Sequence, residues 1–325
     1  MNFADMNASM TASVVIPTYR RPDDLQRCII ALTQQLHLPS EIITVVRDSD
    51  RETQTALETL KTSLNPSVNF RTVLARLKVV IVSEPGQVAA LNAGVTAATG
   101  DIVAITDDDA VPYPCWLERI IQHFVADPTV GGVGGRDWLY FGKELQDGER
   151  ETVGRLRWFG ARVGNHHLGM GNARSVEVLK GANMSYRRKA IANLRFNENL
   201  RGNGAQVHND LAFSLSVKKA GWKLIYDPQV SINHLAGARF DEDQRHHFNA
   251  GAFNNAVHNE TLAILNYLPV LNHLYFWFWA ILIGNREAFG LVQFLRFLPS
   301  EGTLAFQKWC LSISGRWQGY RTWAK

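Results

Sequence analysis

Cysteine is scarce in this chain, and its pattern excludes two kinds of scaffold. Cys28, Cys115 and Cys310 are odd in number and far apart, so no Cys-x-x-Cys pair offers a zinc site and no disulfide framework is supported. Such usage predicts a reducing cytoplasm. The first eleven residues are polar and short of basic charge, with no apolar core of a leader after them, and no secretory signal is expected. Internal repeats and low-complexity tracts are also lacking, which leaves an ordinary globular composition. Residues 261–285 lack Asp, Glu, Lys and Arg altogether.

What is present, in 325 residues of which 46% are hydrophobic, suffices for one large α/β domain with an appendage. Short apolar runs at 12–18, 42–46, 79–82 and 102–105 each empty into polar residues and read as buried strands. Helical spacing follows Pro22 (Leu25, Cys28, Ile29, Leu32, Leu36) and runs through Ala89, Ala90, Leu91 and Ala93 up to a stop at Gly100. Alternating strands and helices predict right-handed crossovers and a mostly parallel, Rossmann-like sheet flanked by helices. Ligands of such sheets sit beyond the carboxyl ends of the strands, so the polar clusters at 17–20, 48–50 and 107–109 should converge on one crevice. Past the run Gly131 to Gly135 the pattern loosens, and 136–180 reads as loop-like. A helix over Asp210–Lys219, closed by Gly221, and a β segment over 222–234 ending in His234 restore regularity.

Asp107, Asp108 and Asp109 directly after an apolar strand are hard to explain structurally. Adjacent like charges raise one another's pKa unless a cation neutralises them. A hard divalent ion, Mg2+ or Mn2+, bridged to nucleotide phosphates would do so. A solvated turn capping the helix that starts near Pro112–Pro114 is the plain alternative, but one cap needs one Asp.

Four segments together resemble the inverting family 2 glycosyltransferases with a GT-A fold: Val14–Arg20, Arg47-Asp48, Gln87–Gly94 and Thr99–Ala110. The resemblance covers most of 12–236 and implies a catalytic domain there, divided into a nucleotide-binding half (12–110) and an acceptor half (111–236), with 237–325 as a helical appendage. It implies a nucleotide-sugar donor, UDP-sugar by default, and a hydroxyl acceptor. Pro17, Thr18, Tyr19, Arg20 and Asp48 would hold the nucleoside, with Asp50 a competitor for the base contact and Asn92 on the following helix a further donor contact. Asp107 and Asp109 map to the metal motif, Asp108 to a sugar or ribose contact, and His234 to a third metal ligand. Gly181, Ala182 and Asn183 resemble the segment beside the donor sugar. His208–Gly221 resembles the segment bearing the catalytic base, which falls on Asp210; the preceding Glu of the family pattern is Asn209 here. Helix N-capping is the plain alternative for Asp210, and an ordinary polar contact is the plain one for His234.

A sugar-phosphate nucleotidyltransferase would carry a Gly-rich loop after the first strand, and Pro17-Thr18-Tyr19-Arg20-Arg21-Pro22 has no glycine. An inactive membrane-docked scaffold is the non-enzymatic alternative; retention of Asp107, Asp109 and Asp210 argues against it. Formal charge is +4. Residues 286–325 alone hold Arg286, Arg296, Lys308, Arg316, Arg321 and Lys325 against Glu287 and Glu301, together with Trp309, Trp317 and Trp323. Confined to this apolar segment, the basic residues give no support to nucleic-acid binding. They suit a membrane–water interface. The uncharged 261–285 stretch is long enough to span a bilayer, although Asn266, Pro269, Asn272 and His273 interrupt it and favour an interfacial or re-entrant helix equally. A buried helical hairpin is the third reading. The expected location is the cytoplasmic face of a membrane, with a soluble cytoplasmic enzyme as the alternative.

Overall fold

The computed structural model describes residues 10–62, 67–240 and 247–325. Its N-terminal part alternates as expected: β1 (Ala12–Thr18), α1 (Pro22–Thr33), β2 (Glu41–Arg47), α2 (Arg51–Lys61), α3 (Val68–Ala75), β3 (Leu77–Val82), α4 (Gln87–Ala97) and β4 (Ile102–Thr106). Then come β5 (Ala110–Pro112), α5 (Trp116–Ala126), β6 (Val130–Phe141), β7 (Glu144–Leu145), β8 (Arg155–Leu156), β9 (Arg162–Val163), β10 (Arg174–Val176) and β11 (Asn183–Arg187). The chain continues through α6 (Arg188–Ile191), α7 (Asn209–Lys219), β12 (Lys223–His234), α8 (Ala250–Tyr267), α9 (Val270–Leu282), β13 (Gly284–Asn285), β14 (Ala288–Phe289), α10 (Leu291–Glu301) and α11 (Thr303–Trp323).

One sheet runs through both halves in the order β10-β12-β6-β11-β4-β1-β2-β3. β1 to β4 pair in parallel, and β11 enters antiparallel between β4 and β6. Strands buried on both faces must be apolar throughout, which is why all of β1 and β4 is buried. β4 pairs with β1 only as far as Val15. The two strands have therefore parted where Pro17, which has no N–H to give, arrives. That divergence, with crossovers leaving to opposite sides, opens the crevice.

Several segments differ from the sequence reading. The glycine run 131–135 lies inside a buried strand rather than at a boundary, and β6 stays paired to its end, with β12 as far as Leu139 across two register shifts and then with β7 at Tyr140 and Phe141. The short α2 and α3 fill the interval before β3; their apolar positions are too few and too closely bounded to stand out by periodicity. Leu36 lies beyond the end of α1 and is exposed. The stretch 261–285 is not one helix. Leu268 and Pro269 separate α8 from α9, because proline cannot donate into a continuing helix. Among the described residues no helix is long and apolar enough to cross a membrane.

α8 is the inner helix of the C-terminal region, buried continuously from Val257 to Leu265. α11 crosses it closely because Gly315 and Gly319 lie against the carbonyls of Asn254 and His258, where any Cβ would clash. On another side Asn259, fully buried, clamps the loop before α7. Its amide donates to the carbonyls of Arg201 (2.9 Å) and Val207 (3.1 Å) and accepts from Arg201 N–H (2.7 Å). Removing such an amide leaves buried backbone groups unpaired. Asn259→Leu is expected to cost about 2–3 kcal/mol, read as a fall of several degrees in melting temperature. An unchanged melting temperature would remove the clamp from the account.

Candidate active site

The sheet register brings the polar strand ends together. β5 pairs His234 with Ala110, the residue after Asp109. Pairing of β12 with β6 sets Ile232 beside Asp137 and His234 beside Leu139. β11 sets Asn183 opposite Thr106, one residue before the aspartates. His234 Nε2 consequently lies 3.3 Å from Asp109 Oδ1, and its Nδ1 lies 3.6 Å from Asp137 Oδ2. Asp137 is ion-paired in turn with Lys180. From the other side Arg21, at the N-terminus of α1, forks onto Asp108 (2.7 Å) and Asp109 (3.0 Å). The Gly237 N–H donates to Asp109 Oδ2 at 2.8 Å.

Burial raises the Asp107 carboxyl, and Asp109 adds to the rise. Burial likewise pushes Asp108 up to about 8 against the opposing pull of Arg21. Burial would also raise Asp109, but its bond to His234 and the charges of His234 and Arg21 hold it well below the carboxylate range. His234 shows the converse. Burial disfavours its proton, yet the nearby carboxylates of Asp109 and Asp137 lift it to about 9. The protein thus balances crowded negative charge with an arginine and an imidazolium.

Asp107, Asp109 and His234 each offer one donor atom, all within 4.8 Å of one another. Donors about 2.1 Å from one Mg2+ stand about 3.0 Å apart when cis and about 4.2 Å when trans, and one pair at most of three can be trans, so the side chains must close by about 1 Å around an ion. Carboxylate oxygens with one imidazole suit Mg2+ or Mn2+, and the donor set fits such an ion once His234 gives up the proton that Asp109 and Asp137 hold on it, the ion then supplying the positive charge.

A cleft of about 450 Å³ opens beside this cluster. Pro17, Thr18, Tyr19 and Arg21 form one wall, Arg47 and Glu84–Gln87 another, and Asn203–Ala205 with Ala238–Phe240 the rim; Asp107 and Asp109 lie at its end. Arg20 turns out of the lining, with φ +57°, its N–H on Asp50 Oδ2 at 2.5 Å and its guanidinium 5.1 Å from the Tyr19 ring. Asp50 also caps α2 through Thr53 N–H, so both its oxygens serve backbone. Asp48 is exposed, 3.8 Å from the Arg47 guanidinium and outside the lining. Asn92 also lies outside it and pins the backbone N–H (2.9 Å) and carbonyl (3.0 Å) of Phe196.

Asp108 is fully buried against Arg21. Asn183 is spent on structure, accepting from Trp116 Nε1 at 2.9 Å and donating to the Val230 carbonyl at 2.7 Å. The Ala182 carbonyl accepts from Thr106. Gly181 alone of this trio touches the expected base: its N–H donates to Asp210 Oδ2 at 3.1 Å. Asp210 sits in the first turn of α7, while the cap position belongs to His208 in the left-handed region, φ +76°. Asn209 donates to Gln87 Oε1 (3.2 Å) and to the Ala205 and Gln206 carbonyls. A glutamate could not donate, which accounts for asparagine at this position. Gln87 reaches Asp107 at 3.5 Å, so side chains link the aspartate cluster to the start of α7. Sequence reasoning passed over Arg21, Asp137, Lys180 and the 203–205 rim. Only Arg21 carried a local signal, as a second arginine in the first strand-end loop.

Glycosyltransferase AglE of Haloferax volcanii is 30% identical over 123 residues, which cover 38% of this chain and 36% of that protein. Glucosyl-dolichyl phosphate glucuronosyltransferase of the same organism is 28% identical over 149 residues, covering 43% and 45%. The matches thus span about half or less of the curated relatives. Among solved structures, S. aureus TarS 1-349 superposes with a TM-score of 0.59 at 15% identity, over 95% of this chain and 81% of that one. The mannosyltransferase PcManGT from Pyrobaculum calidifontis, in complex with GDP-Man and Mn2+, gives 0.56 at 16% identity over 97% and 88%. These likenesses establish a GT-A-like fold. The model of Glycosyl transferase family 2 matches residues 13–195, more than half of the sequence, and the chain belongs to that family.

Proposed function

We propose that this glycosyltransferase moves a sugar from a nucleotide-diphosphate donor to a hydroxyl acceptor in a single inverting displacement assisted by Mg2+ or Mn2+. The observation that carries this reading is the convergence of Asp107, Asp109 and His234 within 4.8 Å at the end of a cleft large enough for a nucleotide. The Mn2+ in the PcManGT complex supports the same reading. UDP-sugar remains the default donor, although PcManGT is seen with GDP-Man. The glucuronosyltransferase relative, by its name, acts on a lipid-linked compound, which supports a lipid-linked acceptor; a glycan acceptor and work at the cytoplasmic face of a membrane complete the reading.

In this mechanism Tyr19 and Arg47 flank the nucleotide, and Arg21 holds Asp109 in place through its fork. A divalent cation on Asp107, Asp109 and His234 would stabilise the charge that develops on the departing diphosphate. Asp210, steadied by the Gly181 N–H, accepts the proton of the acceptor hydroxyl as that oxygen attacks the anomeric carbon from the opposite face. One displacement inverts the centre and requires no enzymic nucleophile. The glycosidase arrangement, with two carboxylates flanking the bond, is not needed.

Two substitutions test the assignment. Asp109→Asn removes a ligand charge. It should abolish transfer and weaken Mn2+ binding by titration calorimetry, while circular dichroism stays native. Transfer by the wild type at full rate in EDTA would sink the metal-assisted mechanism. Asp210→Asn should lower turnover about 10²-fold or more with nucleotide affinity near normal. A variant that loses nucleotide affinity but keeps its turnover would make Asp210 a donor contact.

A further inference from the structure

The C-terminal helices carry an apolar surface that neither the core nor the cleft uses. Along α9 the outward positions Val270, Leu271, Leu274, Phe278 and Ile281 are 53–85% exposed. The opposite side buries His273, Phe276 and Ala280. A surface helix normally turns its apolar stripe inward, and this one also turns an apolar stripe out. α10 exposes Leu291, Val292, Leu295 and Leu298, and α11 exposes Phe306, Cys310, Ile313 and Trp317 at helical spacing. The helices that bear them adjoin one another. α9 and α11 wall an apolar cleft of about 470 Å³ to which Ile281, Ile313 and Trp317 contribute. Phe294 of α10 stacks on Trp309 of α11 at 4.9 Å.

Positive charge borders this face without negative charge to answer it. Arg296 stands one turn after Val292, and Arg321 one turn after Trp317, both exposed. Glu287 and Glu301, the acids of this segment, are already paired with Arg162 and Lys308. Among the described residues Arg286, Arg296 and Arg321 have no carboxylate partner. A second copy of the chain is a poor occupant, because a two-fold contact would set these arginines against themselves. An anionic bilayer answers both features. Hydrocarbon receives the leucines, lipid phosphates meet the arginines, and Tyr275, Trp317 and Tyr320 suit the boundary between them.

We propose that α9, α10 and α11 form one docking face for an anionic lipid bilayer, with the helices lying in the headgroup plane rather than crossing it. The proposal is independent of the transfer chemistry.

Sedimentation of the full chain with vesicles tests it. Binding to phosphatidylcholine–phosphatidylglycerol vesicles should exceed binding to phosphatidylcholine alone and should weaken with salt. Leu274→Glu with Phe278→Glu should lower the partition at least about tenfold, and Arg296→Glu with Arg321→Glu should do so on anionic vesicles by about tenfold. All four positions are exposed and none lines the donor cleft, so both double variants should keep the wild-type melting temperature and donor hydrolysis. Asp210→Asn should bind vesicles like the wild type, which separates docking from the fate of the transfer mechanism. Absence of vesicle binding, or binding that ignores both double variants, would overturn the proposal. So would a concentration-dependent dimer that Leu274→Glu with Phe278→Glu dissolves while vesicles are left unbound.

Discussion

Three carboxylates on consecutive residues at the end of a buried strand are the constraint around which the rest of this fold is arranged. Burial favours the neutral acid, yet ligation and leaving-group chemistry require the anion. The conflict is resolved by cations delivered from elements remote in sequence: Arg21 from the first helix, His234 from the last strand of the sheet, and Lys180 at one remove through Asp137. Each arrives through strand register or a helix start, so the local electrostatics are a product of topology. Removing any one cation would leave an uncompensated buried charge, which is costlier than a lost surface pair.

What the sequence disclosed follows from that division of labour. The aspartates were legible because chemistry and placement coincide in one short segment, with a strand pattern running into three like charges. The parallel half of the sheet was legible for the same reason, since strands buried on both faces are uniformly apolar. Asp137 and Lys180 were not. Their meaning lies in pairings across the sheet, and the region between them is built of strands two or three residues long, too short to establish a period. Arg20 and Arg21 illustrate the limit at single-residue scale. Adjacent and chemically identical, they are separated in role by a left-handed turn at Arg20 that no composition argument reveals.

The C-terminal third was half legible. Its lack of charge between 261 and 285 was real, but hydropathy is blind to which apolar residues face protein. α8 is apolar because it is surrounded, and α9 is apolar on the side that faces away from the protein. Only the break at Pro269 separates these meanings, and it also removes the length needed to cross a bilayer.

α8 ties the donor cleft and the exposed apolar face of α9–α11 to one buried element. On one side Asn259 holds the loop whose residues 203–205 rim the donor cleft, and Glu260 pairs with Arg162 at 2.7 Å. On another, Gly315 and Gly319 seat α11 against its backbone, and His258 Nε2 lies 2.9 Å from the Thr322 hydroxyl. Arg316 extends the link by donating to the carbonyls of Ala280 (2.5 Å) and Ala288 (2.8 Å), which joins α11 to α9 and β14. Close-packed helices with buried, satisfied polar contacts transmit position rather than absorb it. A surface that engages α9–α11 would therefore also set the height and tilt of the loop 203–205 at the cleft rim.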